Sequence, residues 1–353
     1  MDPSQPPPVD PLAFQPPPPP AGAVGGTPGY PFPYGPYDGA YTPPPQFLPR
    51  PRVWTAFVAF VVAFVPGCIG AGIVAVVMTV IVHGPEYLDP TAPDHQQRLE
   101  AALRAPAVFL PMLLSTQVVL AAVALGAAYL SPVPTRRRLR VGRAALPWYG
   151  YPVVAVGTLA LGITFGVLIE LLGLGDEGVL KEFERAIAGL RGGLLVAAAA
   201  VIGLAPGFGE EFLFRGYIQT RLGQRWPRLL ALLVTSLLFG VLHMDPVQST
   251  MAVFLGLWLG EVADRTGSIW PAVAGHAFNN AAATVLSAFV TTGGDPTESW
   301  VMLAVTVPVF AACLAYLLRR PVVETEADPA PLPPSVPLPA PFYTPPPGIP
   351  GAS

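Results

Sequence analysis

The sequence predicts an all-α polytopic membrane protein, a bundle of about eight transmembrane helices between disordered Pro-rich tails, on three observations. Of its 353 residues 52% are apolar and only 12% charged, where an average soluble domain carries roughly 25% charge. Apolar stretches of the length that crosses a bilayer, roughly 17–25 helical residues, recur between residues 53 and 318. These runs are continuous rather than alternating, which favours helices over a β-barrel, and an open sheet would leave its backbone unsatisfied in lipid.

Residues 1–51 and 321–353 hold 31 of the 47 prolines and have neither helical nor strand period. Both are expected to be disordered tails, partly polyproline II in character. The N-terminus has no basic stretch leading into an apolar run, so no cleavable signal peptide is expected and the first span would act as its own insertion signal. Between the tails, residues 52–320 form one bundle. Its spans are expected near 53–82 (broken at Pro66-Gly67), 106–130, 147–172, 193–219, 228–244, 247–264, 268–290 and 300–318. The fifth and sixth are short and meet in a tight corner at Pro246.

Short cytoplasmic loops retain Lys and Arg, and the arginines are distributed unevenly. With the N-terminus inside, Arg50, Arg52, Arg136, Arg137, Arg138, Arg140, Arg143, Arg221, Arg225, Arg228, Arg265, Arg319 and Arg320 face the cytoplasm, against Arg98, Arg104, Lys181, Arg185 and Arg191 outside. The expectation is a multi-pass protein of the cell membrane with both termini cytoplasmic and an even number of spans. The loop Gly173 to Gly193 mixes Asp176, Glu177, Lys181, Glu182, Glu184 and Arg185 with Leu180, Phe183, Ile187 and Leu190, the pattern of a short amphipathic helix on the outer interface.

Composition also limits function. Net charge is −3 and the basic residues form no stripe or patch, so a nucleic-acid partner is not supported. Cys68 and Cys313 both lie in apolar runs, which rules out a cysteine-rich metal site or a disulfide framework. One lysine beside eighteen arginines, with abundant Ala, Val, Gly and Pro, points to a GC-rich and hence bacterial genome.

Ionisable groups inside a span cost about 2.5–3.5 kcal/mol each, so those retained need a reason. The fourth span holds Gly209-Glu210-Glu211-Phe212-Leu213-Phe214-Arg215, the fifth ends Phe239-Gly240-Val241-Leu242-His243, and the seventh carries His276-Ala277-Phe278-Asn279-Asn280. Glu211 and Arg215 stand four apart with the carboxylate N-terminal, the favourable order for an ion pair on a helix. Glu210 is turned about 100° away and has no cation at i+3 or i+4, which leaves it free to act as a general base. The alternative is a buried polar clamp of both glutamates with Arg215. Phe239 and His243 share a helical face, as do His276 and Asn280. At about 1.5 Å per residue from the nearest cytoplasmic arginine, Glu210, His276 and His243 lie roughly 16, 16 and 22 Å deep, compatible with one mid-membrane site.

These segments resemble the E-E-x-x-x-R, F-x-x-x-H and H-x-x-x-N/D motifs of the CAAX-protease and bacteriocin-processing (CPBP) family, which includes the type II CAAX prenyl endopeptidases. The motifs occur in the family's order within a core at 193–285. The resemblance implies an intramembrane endopeptidase in which Glu210 and His243 activate a water, His276 and Asn280 stabilise the oxyanion, and Glu211, Arg215 and Phe239 support them. It also raises a zinc alternative with Glu210, His243 and His276 as ligands. Without an H-E-x-x-H motif, a metal-independent glutamate mechanism with no cofactor is the expectation. The implied partners are the lipid bilayer and a membrane-embedded or membrane-associated peptide or protein substrate. In a bacterium a peptide, bacteriocin precursor or membrane-protein segment is more natural than a prenylated protein. Two other classes are a non-proteolytic scaffold or immunity-type binding protein, and a transporter, against which the absence of an internal repeat argues.

Overall fold

The structure is a computed structural model and describes residues 52–131, 133–174, 178–289 and 296–323. The Pro-rich segments 1–51 and 324–353, and with them the expectation of disordered tails, fall outside the described residues, as do Asp176 and Glu177. Helices and turns make up everything described, with no strand among the described residues. We number the principal helices α1 (Trp54–His83), α2 (His95–Arg104), α3 (Pro106–Tyr129), α4 (Gly150–Leu171) and α5 (Val179–Ile187). They continue as α6 (Gly192–Glu211), α7 (Arg228–Val241), α8 (Pro246–Thr266), α9 (Trp270–Phe289) and α10 (Pro296–Leu318).

Helices occupy all eight places where the sequence predicts a span, but five are long and apolar enough to cross a membrane by length and composition: Trp54–His83, Pro106–Tyr129, Gly150–Leu171, Gly192–Gly223 and Thr297–Leu318. The other three fall short for separate reasons. α7 has 14 residues, about 21 Å of helix against a hydrocarbon core of about 30 Å. α8 is long enough, yet its last turns hold Glu261, Asp264 and Arg265. α9 has 20 residues but includes His276, Asn279 and Asn280. Spans within a bundle tolerate such residues because they face protein rather than lipid.

The membrane character shows in what lies outside. α1 exposes Val58, Val61, Val62, Val65, Ile69, Ile73, Val76, Val77 and Ile81, and a helix apolar all round suits a lipid neighbour rather than water. Its inner face, with Ala56, Ala59, Phe60 and Ala63, packs on α3 and on Phe214 and Tyr217. α6 lies between α3 and α9, and α4 between α9 and α10.

Small residues set the spacing around α6. A Cβ on Gly203 would come within 2.8 Å of the Ala277 carbonyl, and one on Gly207 within 3.0 Å of the Ala277 side chain. This Gly203-x-x-x-Gly207 pair brings α9 against α6 by the close backbone approach typical of membrane helix pairs. On the opposite side, a Cβ on Gly209 would lie 2.7 Å from the backbone carbonyl of Gln117, so α3 touches α6 there.

Two boundaries differ from the sequence reading. The fourth helix does not run regularly to residue 219: Phe212–Gln219 is a π-helical segment, followed by one α turn at Thr220–Gly223. The fifth helix ends at Val241, so His243 lies in the turn before α8, next to Met244 with φ 53°. A short break there is what Asp245 requires, since its carboxylate caps α8 by accepting from the Gln248 N–H at 2.8 Å.

A second polar cluster closes one end of the bundle. Asp264 accepts from Arg140 at 2.8 Å, from Gln219 at 2.9 Å and from Arg228 at 3.4 Å. Glu261 accepts from Arg228 at 2.6 Å and from Arg265 at 2.5 Å. All three arginines belong to the set expected on the cytoplasmic side. The loop Gly173 to Gly193 contains α5, as its amphipathic pattern predicts, and Arg104 at the end of α2 bonds Glu182 on it at 2.6 Å.

Candidate active site

The end of α6 delivers three charged side chains to the interior. Glu210, Glu211 and Arg215 are 6%, 0% and 0% exposed, a degree of burial that ionised groups accept only when paired. Arg215 donates from Nη1 to Glu211 Oε1 at 2.7 Å and from Nη2 to the Gly256 carbonyl at 3.3 Å. Its guanidinium stacks over the Phe239 ring, 4.3 Å from the centroid. The sequence reading of an i,i+4 pair holds even though the π segment begins at Phe212. Within that segment the Arg215 carbonyl accepts from the Thr220 hydroxyl at 3.2 Å.

His276, from α9, closes the network. Its Nδ1 donates to the same Glu211 Oε1 at 2.8 Å, and its Nε2 lies 3.8 Å from Glu210 Oε2. Glu211 is thus held by two donors. Glu210 is held differently: its Oε1 accepts from Gln117 Nε2 at 2.9 Å, while its Oε2 has no hydrogen-bond partner in the protein. The two adjacent carboxylates stand in unlike surroundings, as the helical geometry predicts.

His243 donates from Nδ1 to the Phe239 carbonyl at 2.9 Å, which fixes the tautomer and leaves Nε2 as the basic nitrogen. Phe239 lies edge-on to both histidines, 5.2 Å from His243 and 6.0 Å from His276 between ring centroids. Glu210 and His243 open on a common cavity of about 310 Å³, lined also by Gln117, Thr116 and apolar residues of α1 and α3. His276 and Asn280 do not line it. Asn280 lies one turn beyond His276 on α9, and its Nδ2 donates to the Ile202 carbonyl of α6 at 3.4 Å while its Oδ1 accepts from Asn279 at 3.1 Å. The structure therefore gathers Glu210, Glu211, Arg215, Phe239, His243 and His276 into one contiguous cluster and puts Asn280 at its margin.

Among the described residues no three His, Cys, Asp or Glu side chains are grouped to hold a metal. Each histidine gives Nδ1 to a protein acceptor and leaves Nε2 unused, as a metal-bound histidine would, but His276 Nε2 lies 3.8 Å from Glu210 Oε2 while only Glu210 and His243 of the three line the cavity.

One member of the site escaped the sequence reading. Gln117 is 5% exposed and comes from α3, far from the three motifs. Its signal was present: Ser115-Thr116-Gln117 is a polar interruption in an otherwise apolar span, and a buried amide asks for partners as an ionisable group does.

The family model described as type II CAAX prenyl endopeptidase Rce1-like matches residues 192–282. No curated protein and no solved structure matches the chain. The matched stretch contains both glutamates, Arg215, Phe239, both histidines and Asn280, so the segment that carries the site is similar to the type II CAAX prenyl endopeptidases of the Rce1-like family, within an all-helical, multi-pass membrane protein.

Proposed function

We propose that the chain is an intramembrane endopeptidase of the glutamate type, hydrolysing a peptide bond in a membrane-embedded or membrane-associated substrate without a metal ion. The observation that supports this most directly is the inequality of the two carboxylates. Glu211 is neutralised by Arg215 and His276, whereas Glu210 keeps one oxygen unpartnered beside a cavity it shares with His243. A water held between Glu210 Oε2 and His243 Nε2 loses a proton as its oxygen attacks the carbonyl carbon. The proton then passes to the departing amine as the C–N bond breaks. The resemblance to the family motif assigns His276 and Asn280 to the oxyanion, although neither lines the cavity in this structure, and in a low-dielectric site fixed donors are worth far more than in water. Glu211, Arg215 and Phe239 hold His276 and the end of α6 in place.

The test uses the purified full chain in lipid nanodiscs with two internally quenched peptides of one apolar sequence, one of them ending in a farnesylated Cys-aliphatic-aliphatic-X motif. Cleavage of at least one peptide is expected, lost in Glu210→Gln and unaffected by exhaustive chelation. Activity that vanishes with chelator and returns with zinc would recast Glu210, His243 and His276 as ligands. Tight binding of the peptides without cleavage would favour the non-proteolytic scaffold. The arginine asymmetry supports a cell-membrane protein with both termini cytoplasmic, and a reporter fused after Ser353 that reads outside would overturn that orientation. The reading of 1–51 and 321–353 as tails on a bundle at 52–320 predicts that a chain lacking residues 1–45 and 325–353 still inserts and folds.

A further inference from the structure

The proposed chemistry leaves one buried polar side chain of the cavity without a task. Of the polar residues in the lining, Glu210 and His243 hold the water, Cys68 offers only a weakly accepting sulfur, and the Thr116 hydroxyl, though it can still accept, is drawn back onto its own helix by donating to the Met112 carbonyl at 3.4 Å. Gln117 remains. Its amide orientation is fixed by its partner: an ionised carboxylate only accepts, so Nε2 faces Glu210 Oε1 at 2.9 Å. The amide oxygen Oε1 is then buried with no donor from the protein. Gly209 keeps it there, because a Cβ at that position would lie 2.6 Å from Oε1 and 2.7 Å from the Gln117 carbonyl.

A peptide entering this cavity meets walls made by Phe64, Ala71, Leu120, Leu242 and Met244. Apart from the weak sulfur of Met244, none of those side chains accepts a hydrogen bond, and a main-chain N–H carried into such a site is costly unless an acceptor meets it. We infer that Gln117 Oε1 accepts a main-chain N–H of the substrate close to the scissile bond, making Gln117 a substrate-binding residue supplied by α3. The same amide steadies Glu210 through its other end, so seating the peptide and seating the general base are mechanically joined. Residue 117 lies outside the matched segment 192–282, and the contact reads the backbone of the substrate rather than its side chains. The inference rests on the protease reading.

The experiment replaces each backbone N–H of the quenched peptides, one at a time and away from the cleaved bond, by an ester oxygen. KM and, for slow variants, Kd from fluorescence anisotropy are measured for the full chain in nanodiscs. One ester position is expected to weaken wild-type binding about tenfold, the effect of losing one hydrogen bond to a buried acceptor. In Gln117→Met, which keeps the volume and removes the acceptor, that position should cost less than about twofold. Gln117→Glu keeps an acceptor oxygen and should keep the sensitivity, which guards against a general packing defect. An ester penalty that persists in Gln117→Met, or the lack of any penalty in wild type, overturns the inference while leaving the protease intact. A wild-type chain that cleaves neither parent peptide overturns the protease reading and the inference together.

Discussion

Two buried polar clusters stand in this bundle, and they are built on opposite plans. Around Asp264 and Glu261 each carboxylate is met by two or more donors, among them Arg140, Arg228 and Arg265, and the two residues join α8 to α7 and to the loop after α3. Around Glu210 and Glu211 the partners run out: Glu210 Oε2, Glu211 Oε2, Arg215 Nε and Gln117 Oε1 are all buried without a hydrogen-bond partner in the protein, against Gln219 Oε1 alone in the other cluster. A buried network that is fully satisfied rigidifies a fold, whereas orphaned buried groups are expensive and call for a functional reason. The gathering of orphaned atoms at the acidic pair is what the site reading of Glu210 expects, and substitution there tests it against the clamp reading.

The sharpest way to break this contrast is at Glu210. Glu210→Gln should lower the cleavage rate by about 10²–10⁴-fold, the usual contribution of a general base, while the unfolding midpoint in detergent barely moves. Cleavage surviving this substitution would return Glu210 to the clamp. Glu211→Gln should behave in the opposite manner, because Arg215 then stays buried without its counter-charge, at a cost of about 3–5 kcal/mol. Arg215→Met in that background should recover part of the lost stability and none in Glu210→Gln, which unfolding curves of the double variants will report.

Asp264→Asn tests the other cluster. It removes the charge that Arg140, Gln219 and Arg228 share, and should destabilise by about 1.5–3 kcal/mol with KM and kcat of the folded fraction unchanged. A selective fall in kcat would mean that the two clusters are coupled through α6. The smallest effect is expected at the exposed end of the molecule. A hydrogen bond from Arg104 holds the Glu182 carboxyl below its ordinary range, with Arg185 adding to the effect. A depressed carboxylate stabilises the fold above its unfolded pKa and loses that contribution as pH falls through its folded value. Mild acid should therefore loosen α5 from α2 before anything else, seen as faster hydrogen exchange across residues 178–190 with no shift in the main unfolding transition.

How much of this was legible beforehand follows from which interactions are local. The Glu211–Arg215 pair, the solitary position of Glu210 and the helix in the 173–193 loop depend on neighbours three or four residues away, and periodicity exposes them. The partnership of His276 with Glu211 spans 65 residues and that of Gln117 with Glu210 spans 93. Hydropathy alone does not reveal such pairs; the histidine was found because its type is rare in a span, and the glutamine was passed over because its type is not ionisable. The count of eight spans met a different limit. α7 is short, and α8 and α9 bury polar residues such as Asp264 and His276 on faces packed against other helices, and length and composition do not register a neighbour. The π segment was invisible for a similar reason, since nothing in the sequence of Phe212–Gln219 sets it apart from an ordinary helix.

That segment, Phe212–Gln219, sits between Glu210 and Gln219, and so between the site and the clamp. In a regular helix one residue more or fewer turns everything beyond it by about 100°. A wide turn takes up such a residue locally, so it acts as a phase adjuster in the rod that carries both clusters. Ahead of it the carboxylates keep the rotation that chemistry demands; at its far end Gln219 keeps the rotation that meets Asp264. Selection can then retune the angle of one without resetting the other, and a deletion within these eight residues would bring back the conflict that the wide turn resolves.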